Sequence, residues 1–237
     1  PMIIYGINSV QEALRSERCS LERIWIQRRN RSPRLKQIVQ KARKQGVPVS
    51  FESEKTLARK ASGNRHQDVI AQLSEIQYLD LEAVLEMNPS LILLVDKVED
   101  PHNLGALLRT AEAVGVAAMV VPARGTCPVT AAVVKSSAGA ALHLKIARVG
   151  NLVRAIQRLK DEGFWIVGLD MAGKNSIDEV DTQLPVAVLV GGEHHGLRPL
   201  VRKQCDFHIS LTMKGRVPSL NLSVAAGVLL YQITATN

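Results

Sequence analysis

From Leu91 onward the chain repeats one pattern: a short β-branched run, a turn, then a helix-length stretch. The runs are LILLVDKV, AAMVVP, LKIAR, WIVGLD, VAVLVGG and FHISL. They are apolar on successive residues rather than on alternate ones, so both faces of each strand must be covered. Buried strands separated by helices predict a parallel sheet with helices on either side, an α/β fold. A smaller version of the pattern occupies residues 1–76. Strands are expected at 3–5, at RIWIQ (23–27), at VPVSF and at 68–73. Ser9 with Glu12 reads as a capping box, Ser32 as an N-cap with Pro33 at the first helical position, Gly46 as a stop, and Ser53 as a helix start. We therefore expect a small α/β domain over 1–76, a linker over 77–90 containing the short helix DLEAVLEM, and a larger α/β domain over 91–237. The last helix, from about Asn221 to Thr234, is apolar nearly all round, so it is expected to be buried in its domain or against a second copy of the chain.

Composition narrows the function. No apolar run reaches the roughly 18 residues that span a bilayer, and PMIIYGINSV lacks the features of a signal peptide, so a cytoplasmic protein without membrane attachment is expected. Cys19, Cys127 and Cys205 are scattered and imply no disulfide framework. His194, His195, Cys205 and His208 lack the paired spacing of metal ligands, so no metal is expected. The net charge is +8. All of that excess lies in residues 1–76, and it is densest from Arg28 to Lys44, a stretch holding Arg28, Arg29, Arg31, Arg34 and Lys36 and no acid. An uncompensated basic block beside a neutral domain points to a phosphate-rich partner, an RNA.

An α/β sheet binds ligands where its strands end. The dinucleotide signature GxGxxG is absent. GLDMAGKN (168–175) approaches a phosphate loop, but Asn175 stands where a magnesium-binding hydroxyl is needed and no strong helix follows, so a Gly-bearing turn is expected. Three other loops are chemically unusual. EDPHNLGALLRTA leads into a helix on which Leu104, Leu107, Leu108 and Ala111 share one face. Arg109 lies on the other, beside Gly105, Ala106 and Ala113, as if room had been cleared around a guanidinium. Asn103 is expected to cap that helix. VLVGGEHHGL (188–197) places Glu193 among glycines at a strand end. MKGRVPSLNLSVAAG (213–227) puts Ser219, Asn221 and Ser223 at the start of the apolar helix.

Taken in order, DPHNLGALLRTA, LVGGEHHGL and LTMKGRVPSLNLSVA resemble the three motifs of the SpoU (TrmH) family of RNA ribose 2′-O-methyltransferases, within the SPOUT superfamily. IYGINSVQEAL to HQDVIAQL resembles the substrate-binding domain, related to ribosomal protein L30e, that many members carry. The resemblance implies a parallel sheet whose C-terminal segment forms a deep trefoil knot, a homodimer, and S-adenosylmethionine bound by Val190, Gly191, Gly192, Gly196, Leu211 and Leu220. It assigns catalytic positions to Asn103, Arg109, Glu193, Ser219 and Asn221. It also implies a guanosine ribose of large-subunit (23S) rRNA as the methyl acceptor, with the cleared face at Arg109 receiving the ribose and its phosphate. A guanidinium keeps its proton at physiological pH, so Arg109 is expected to orient the acceptor rather than act as its base. His194, His195 and the LTM segment depart from the usual motifs. A tRNA ribose methyltransferase is the alternative within the class. An RNA-binding assembly factor without catalysis is the alternative outside it, and the intact polar positions speak against that.

Overall fold

The computed structural model describes residues 1–29, 32–192 and 196–235. The elements run β1 (Met2–Tyr5), α1 (Ile7–Ala13), β2 (Leu21–Gln27), α2 (Pro33–Lys44), β3 (Val49–Glu52), α3 (Glu54–Lys60), β4 (Val69–Leu73), α4 (Leu81–Leu85), β5 (Leu91–Val95) and α5 (Pro101–Val114). They continue with β6 (Ala118–Pro122), α6 (Ala131–Ser136), β7 (Lys145–Val149), α7 (Leu152–Asp161), β8 (Trp165–Leu169), β9 (Val186–Val190), α8 (Pro199–Arg202), β10 (Phe207–Ile209) and α9 (Leu222–Ala235). The chain forms two compact units, 1–77 with 129–143, and 78–128 with 144–237.

The first unit is a sheet in the order β1-β4-β2-β3, antiparallel except for the parallel β2–β3 pair. α2 buries Leu35, Ile38 and Ala42, a one-sided stripe that leaves its basic residues outward. Trp25, Leu57, Ala61 and Ile70 pack together on the sheet, with Ile3 and Tyr5 against them. Residues 129–143 also belong here, although the sequence places them in the larger domain. α6 packs on β1, Lys135 donates to the Arg65 carbonyl at 2.9 Å, and His143 Nε2 meets Glu12 Oε2 at 2.8 Å. The expected capping box at Ser9 does not form, because α1 starts two residues before it. Glu12 is engaged by His143 and by Arg15, Ser9 is buried inside α1, and Gly6, at φ 95°, precedes the helix.

The second unit carries a sheet of six strands among the described residues, in the order β10-β8-β9-β5-β6-β7, every pair parallel. One face, with Ile92, Leu94, Val120, Ala147, Ile166 and Leu189, packs under α4, α7 and α8. The alternate residues, among them Leu93, Met119, Val167 and Val188, are equally buried and face the other side. α9 lies against β8, β9 and α5. Residues 78–90, expected to be a linker, are part of this unit. Leu79 bridges Ala147, Asp80 caps α4, and Val84 is fully buried in the core.

The phosphate-loop resemblance of 168–175 has a packing explanation. A Cβ on Gly168 would stand 2.5 Å from the Cys205 sulfur, and one on Gly173 would stand 2.4 Å from the His208 carbonyl oxygen. These glycines let β8 and the turn after it approach β10 and the segment before it. Only the 3-10 turn Ile177–Glu179 follows.

Candidate active site

The three motif loops all leave the carboxyl ends of parallel strands of the second unit, β5, β9 and β10. The cap of α5 is Asp100, not Asn103. Asp100 Oδ1 accepts from the His102 N–H at 2.9 Å, and Pro101 takes the first helical position, where no N–H is needed. Asn103 instead links elements across the fold. Its Nδ2 donates to Asp100 Oδ2 at 3.1 Å, and its Oδ1 accepts from Asn221 Nδ2 at 3.0 Å. Asn221 Oδ1 accepts from the Ser223 N–H at 2.9 Å and from its hydroxyl at 2.6 Å. Residues 118 positions apart thus join the start of α5 to the start of α9.

Arg109 lies on the exposed side of the same helix, six residues beyond Asn103 and about 9 Å further along the axis. It forms no ion pair with Glu112 among the described residues. Gly105 beside it is buried, and Ala106 partly so. Ser219 is exposed, two residues before Asn221. Glu193, His194, His195 and Arg31 lie outside the described residues.

Val190 ends β9 fully buried. Gly191 follows in the tightest approach of the unit. A Cβ there would lie 2.1 Å from the Gly196 carbonyl carbon and 2.4 Å from the Leu197 nitrogen. Glycine at 191 makes room for the chain itself, a requirement that stands beside the ligand reading of the sequence. Gly192 and Gly196 pair in both directions at 3.1 and 3.0 Å. Gly196 has φ 59°. Leu211 is half-buried after β10, and Leu220 is exposed.

The thiols are poor nucleophiles. Burial, then neighbouring Asp206 and Asp170, pushes Cys205 up to about 12. Burial also raises Cys127 and Cys19 above the usual range. Among the described residues, no group of three or more His, Cys, Asp or Glu side chains is placed to hold a metal ion. No helix among them is long and apolar enough to cross a membrane.

Sequence reading passed over Asp96 and Arg198. Asp96 follows five buried residues of β5 and is itself buried, and it pairs with Arg198. A carboxylate directly after an all-apolar strand was the available signal, because such a charge needs a partner to be tolerated.

Known proteins share this arrangement. The SpoU rRNA methylase family matches residues 90–231, and an RNA 2′-O ribose methyltransferase substrate-binding family matches residues 3–79. A putative TrmH family tRNA/rRNA methyltransferase of Bacillus subtilis is 38% identical over 97% of this chain and 94% of its own length. The 23S rRNA (guanosine-2′-O-)-methyltransferase of Coxiella burnetii is also 38% identical, over the same shares. The crystal structure of an AdoMet-bound rRNA methyltransferase from Sinorhizobium meliloti superposes with a TM-score of 0.81 at 24% identity, covering 99% of this chain and 87% of that one, a likeness of fold. The sheet, the three loops at its strand ends and these matches lead to one conclusion: the chain belongs to the SpoU rRNA methylase family and is an RNA ribose methyltransferase.

Proposed function

We propose that the chain transfers the methyl group of S-adenosylmethionine to the ribose 2′-hydroxyl of a guanosine in 23S rRNA. The observation that carries this reading is the Asp100–Asn103–Asn221–Ser223 chain of hydrogen bonds, which unites the first and third motifs at the start of the helix that carries Arg109. The named substrate of the Coxiella burnetii relative supports the choice of RNA.

The residues present fit the cofactor. Val190, Gly191, Gly192 and Gly196 form a small-residue corner at the end of β9, where a Cβ on Gly192 would already crowd the Lys97 carbonyl at 3.1 Å. Leu211 and the exposed Leu220 offer apolar surface for an adenine. Bound there, S-adenosylmethionine supplies an electrophilic methyl group on a sulfonium. Arg109 orients the 2′-hydroxyl oxygen and the adjoining phosphate through its planar fork of donors. Asn103 and Asn221 fix the loops that carry the acceptor, and the exposed Ser219 adds a hydroxyl two residues before Asn221. Holding the oxygen in line with the methyl group supplies much of the barrier reduction.

The first unit serves as an L30e-like RNA-binding domain. Arg28, Arg29, Arg34 and Lys36 are exposed on it, and with Arg31 they contact backbone phosphates. The C-terminal segment from β9 through α9 forms the trefoil knot, a reading supported by the return of the chain from edge strand β10 to α5. The working form is a homodimer. Val224, Val228 and Tyr231 leave an apolar face of α9 exposed, at 51%, 40% and 57%, along a groove of about 610 Å³ shared with Thr110 of α5. A second copy covers that face, and sedimentation of a Val228→Glu variant as a monomer would bear this out. An rRNA substrate supports a cytoplasmic location.

Incubation of purified protein with labelled S-adenosylmethionine, unmodified 23S rRNA and bulk tRNA as competitor tests the substrate. Label is expected as 2′-O-methylguanosine in rRNA. Label confined to tRNA, or found on a base, would overturn the assignment.

A further inference from the structure

Asp96 has no part in the roles assigned above. It directly follows β5, which lies between β9 and β6 in the sheet, and its side chain is 0% exposed. A buried carboxylate needs partners for its lone pairs, and Arg198 supplies three donors. The Arg198 backbone N–H reaches Asp96 Oδ2 at 2.9 Å, while the guanidinium reaches Oδ1 at 2.8 Å from Nε and 2.6 Å from its terminal nitrogen. The main chain of Asp96 meanwhile donates to the Val190 carbonyl at 2.8 Å. One residue therefore grips the chain just before Gly191 and again just after Leu197. Between those anchors Gly192 and Gly196 pair with each other. A buried ion pair is often no more stabilising than an apolar pair of similar volume, so stability is a poor reason for this one. Its geometry is specific: a carboxylate held by a guanidinium edge and a backbone N–H admits few arrangements of the chain that carries them.

We propose that Asp96 and Arg198 are a positioning pair that fixes Gly191, Gly192 and Gly196 in the arrangement that binds S-adenosylmethionine. The proposal rests on the reading of those glycines as part of the cofactor site. It places neither Asp96 nor Arg198 on the reacting atoms, so their loss acts on cofactor binding and spares the methyl-transfer step.

The test uses full-length protein carrying Asp96→Asn, Arg198→Gln or Arg198→Lys. Arg198 is half-exposed, with 56% of its side chain in solvent, so its variants are expected to fold even where Asp96→Asn does not. In Arg198→Gln the KM for S-adenosylmethionine and its calorimetric Kd should each rise on the order of tenfold, with kcat within about twofold of wild type. Arg198→Lys keeps the charge and should recover part of the loss. Hydrogen exchange, read without cofactor, should show the Gly192 and Gly196 amides losing protection in Arg198→Gln while the core strands keep theirs. Unchanged affinity and protection in a folded Arg198→Gln protein would overturn the proposal, as would a fall in kcat at constant KM. Failure of the wild-type protein to bind S-adenosylmethionine would overturn the cofactor reading itself; the two amides would still show separately whether the pair holds the segment.

Discussion

The side-chain amide of Asn103 has one orientation open to it. The Asp100 carboxylate only accepts hydrogen bonds, so the NH2 of Asn103 must face it and the carbonyl oxygen must face Asn221. Asn221 must then donate, which turns its own oxygen toward the Ser223 N–H and hydroxyl. A single carboxylate at the start of α5 thus sets the direction of every bond to the start of α9. Arg109 stands apart from that network, on the solvent side of α5. This division separates loop geometry from substrate contact. Arg109→Ala should abolish methyl transfer and leave S-adenosylmethionine affinity within a few fold. Arg109→Lys should rescue poorly, because an ammonium cannot offer the planar pair of donors. Steady-state rates beside calorimetric binding measure both, and near-normal turnover by the Ala variant would remove Arg109 from the site. The residue types at Asn103, Arg109 and Asn221 were legible in the sequence. The contact between Asn103 and Asn221 was not, because local spacing says nothing about a partner 118 residues away.

Elements were legible where their signal is local. The six buried runs after Leu91 became six parallel strands, because continuous apolar character admits burial on both faces and little else. α2 began at Pro33 as its sequence predicts. The signals failed where a distant residue competes. Gly6 rather than Ser9 precedes α1, and Glu12 meets His143, 131 residues on. Gly191 is already required by the approach of Gly196 and Leu197, a contact that local spacing does not reveal. The turn after β8 shows a further tie between elements. Asp170 there pairs with Arg202 of α8 and with His208 of β10. Burial would raise its carboxyl, but the Ala172 N–H and the Arg202 guanidinium outweigh that and hold it below the usual carboxylate range. A depressed folded-state value means that the carboxylate stabilises the fold above its unfolded pKa, and that this contribution disappears as pH falls through the folded one. Asp170→Asn should therefore lower Tm at pH 7, with the difference from wild type shrinking below about pH 4. A constant Tm difference from pH 7 to pH 3 would show that the carboxylate charge contributes nothing.

At the scale of the whole molecule, charge and chemistry are divided between two units. The basic excess is confined to residues 1–76, while the three motif loops belong to the second unit, and residues 77–237 hold as many acids as Lys and Arg. The unit boundary itself was only partly legible: the change near residue 77 follows the charge, but Val129–His143 carries no compositional mark that would assign it to the first unit. On the proposed function, such a division would let one surface hold RNA through its phosphates while another reads the target ribose. With 3% aromatic residues the chain has few rings on which to stack bases, so affinity must come largely from the charged backbone. Each Lys or Arg that neutralises a phosphate releases a counterion, and the logarithm of the binding constant falls with the logarithm of salt in proportion to their number. Arg28 and Arg29 follow β2 on an exposed surface of the first unit, away from its buried stripe, so changing them should leave the fold intact. Replacing both with Glu should weaken 23S rRNA binding and reduce the salt slope by roughly one to two, since about two phosphate contacts are lost. S-adenosylmethionine affinity should not change, because the residues proposed to bind it belong to the other unit. Filter binding from 50 to 200 mM salt, with calorimetry alongside, measures both quantities. A slope equal to that of wild type would mean that Arg28 and Arg29 only solvate the surface, and that phosphate recognition lies elsewhere on the chain.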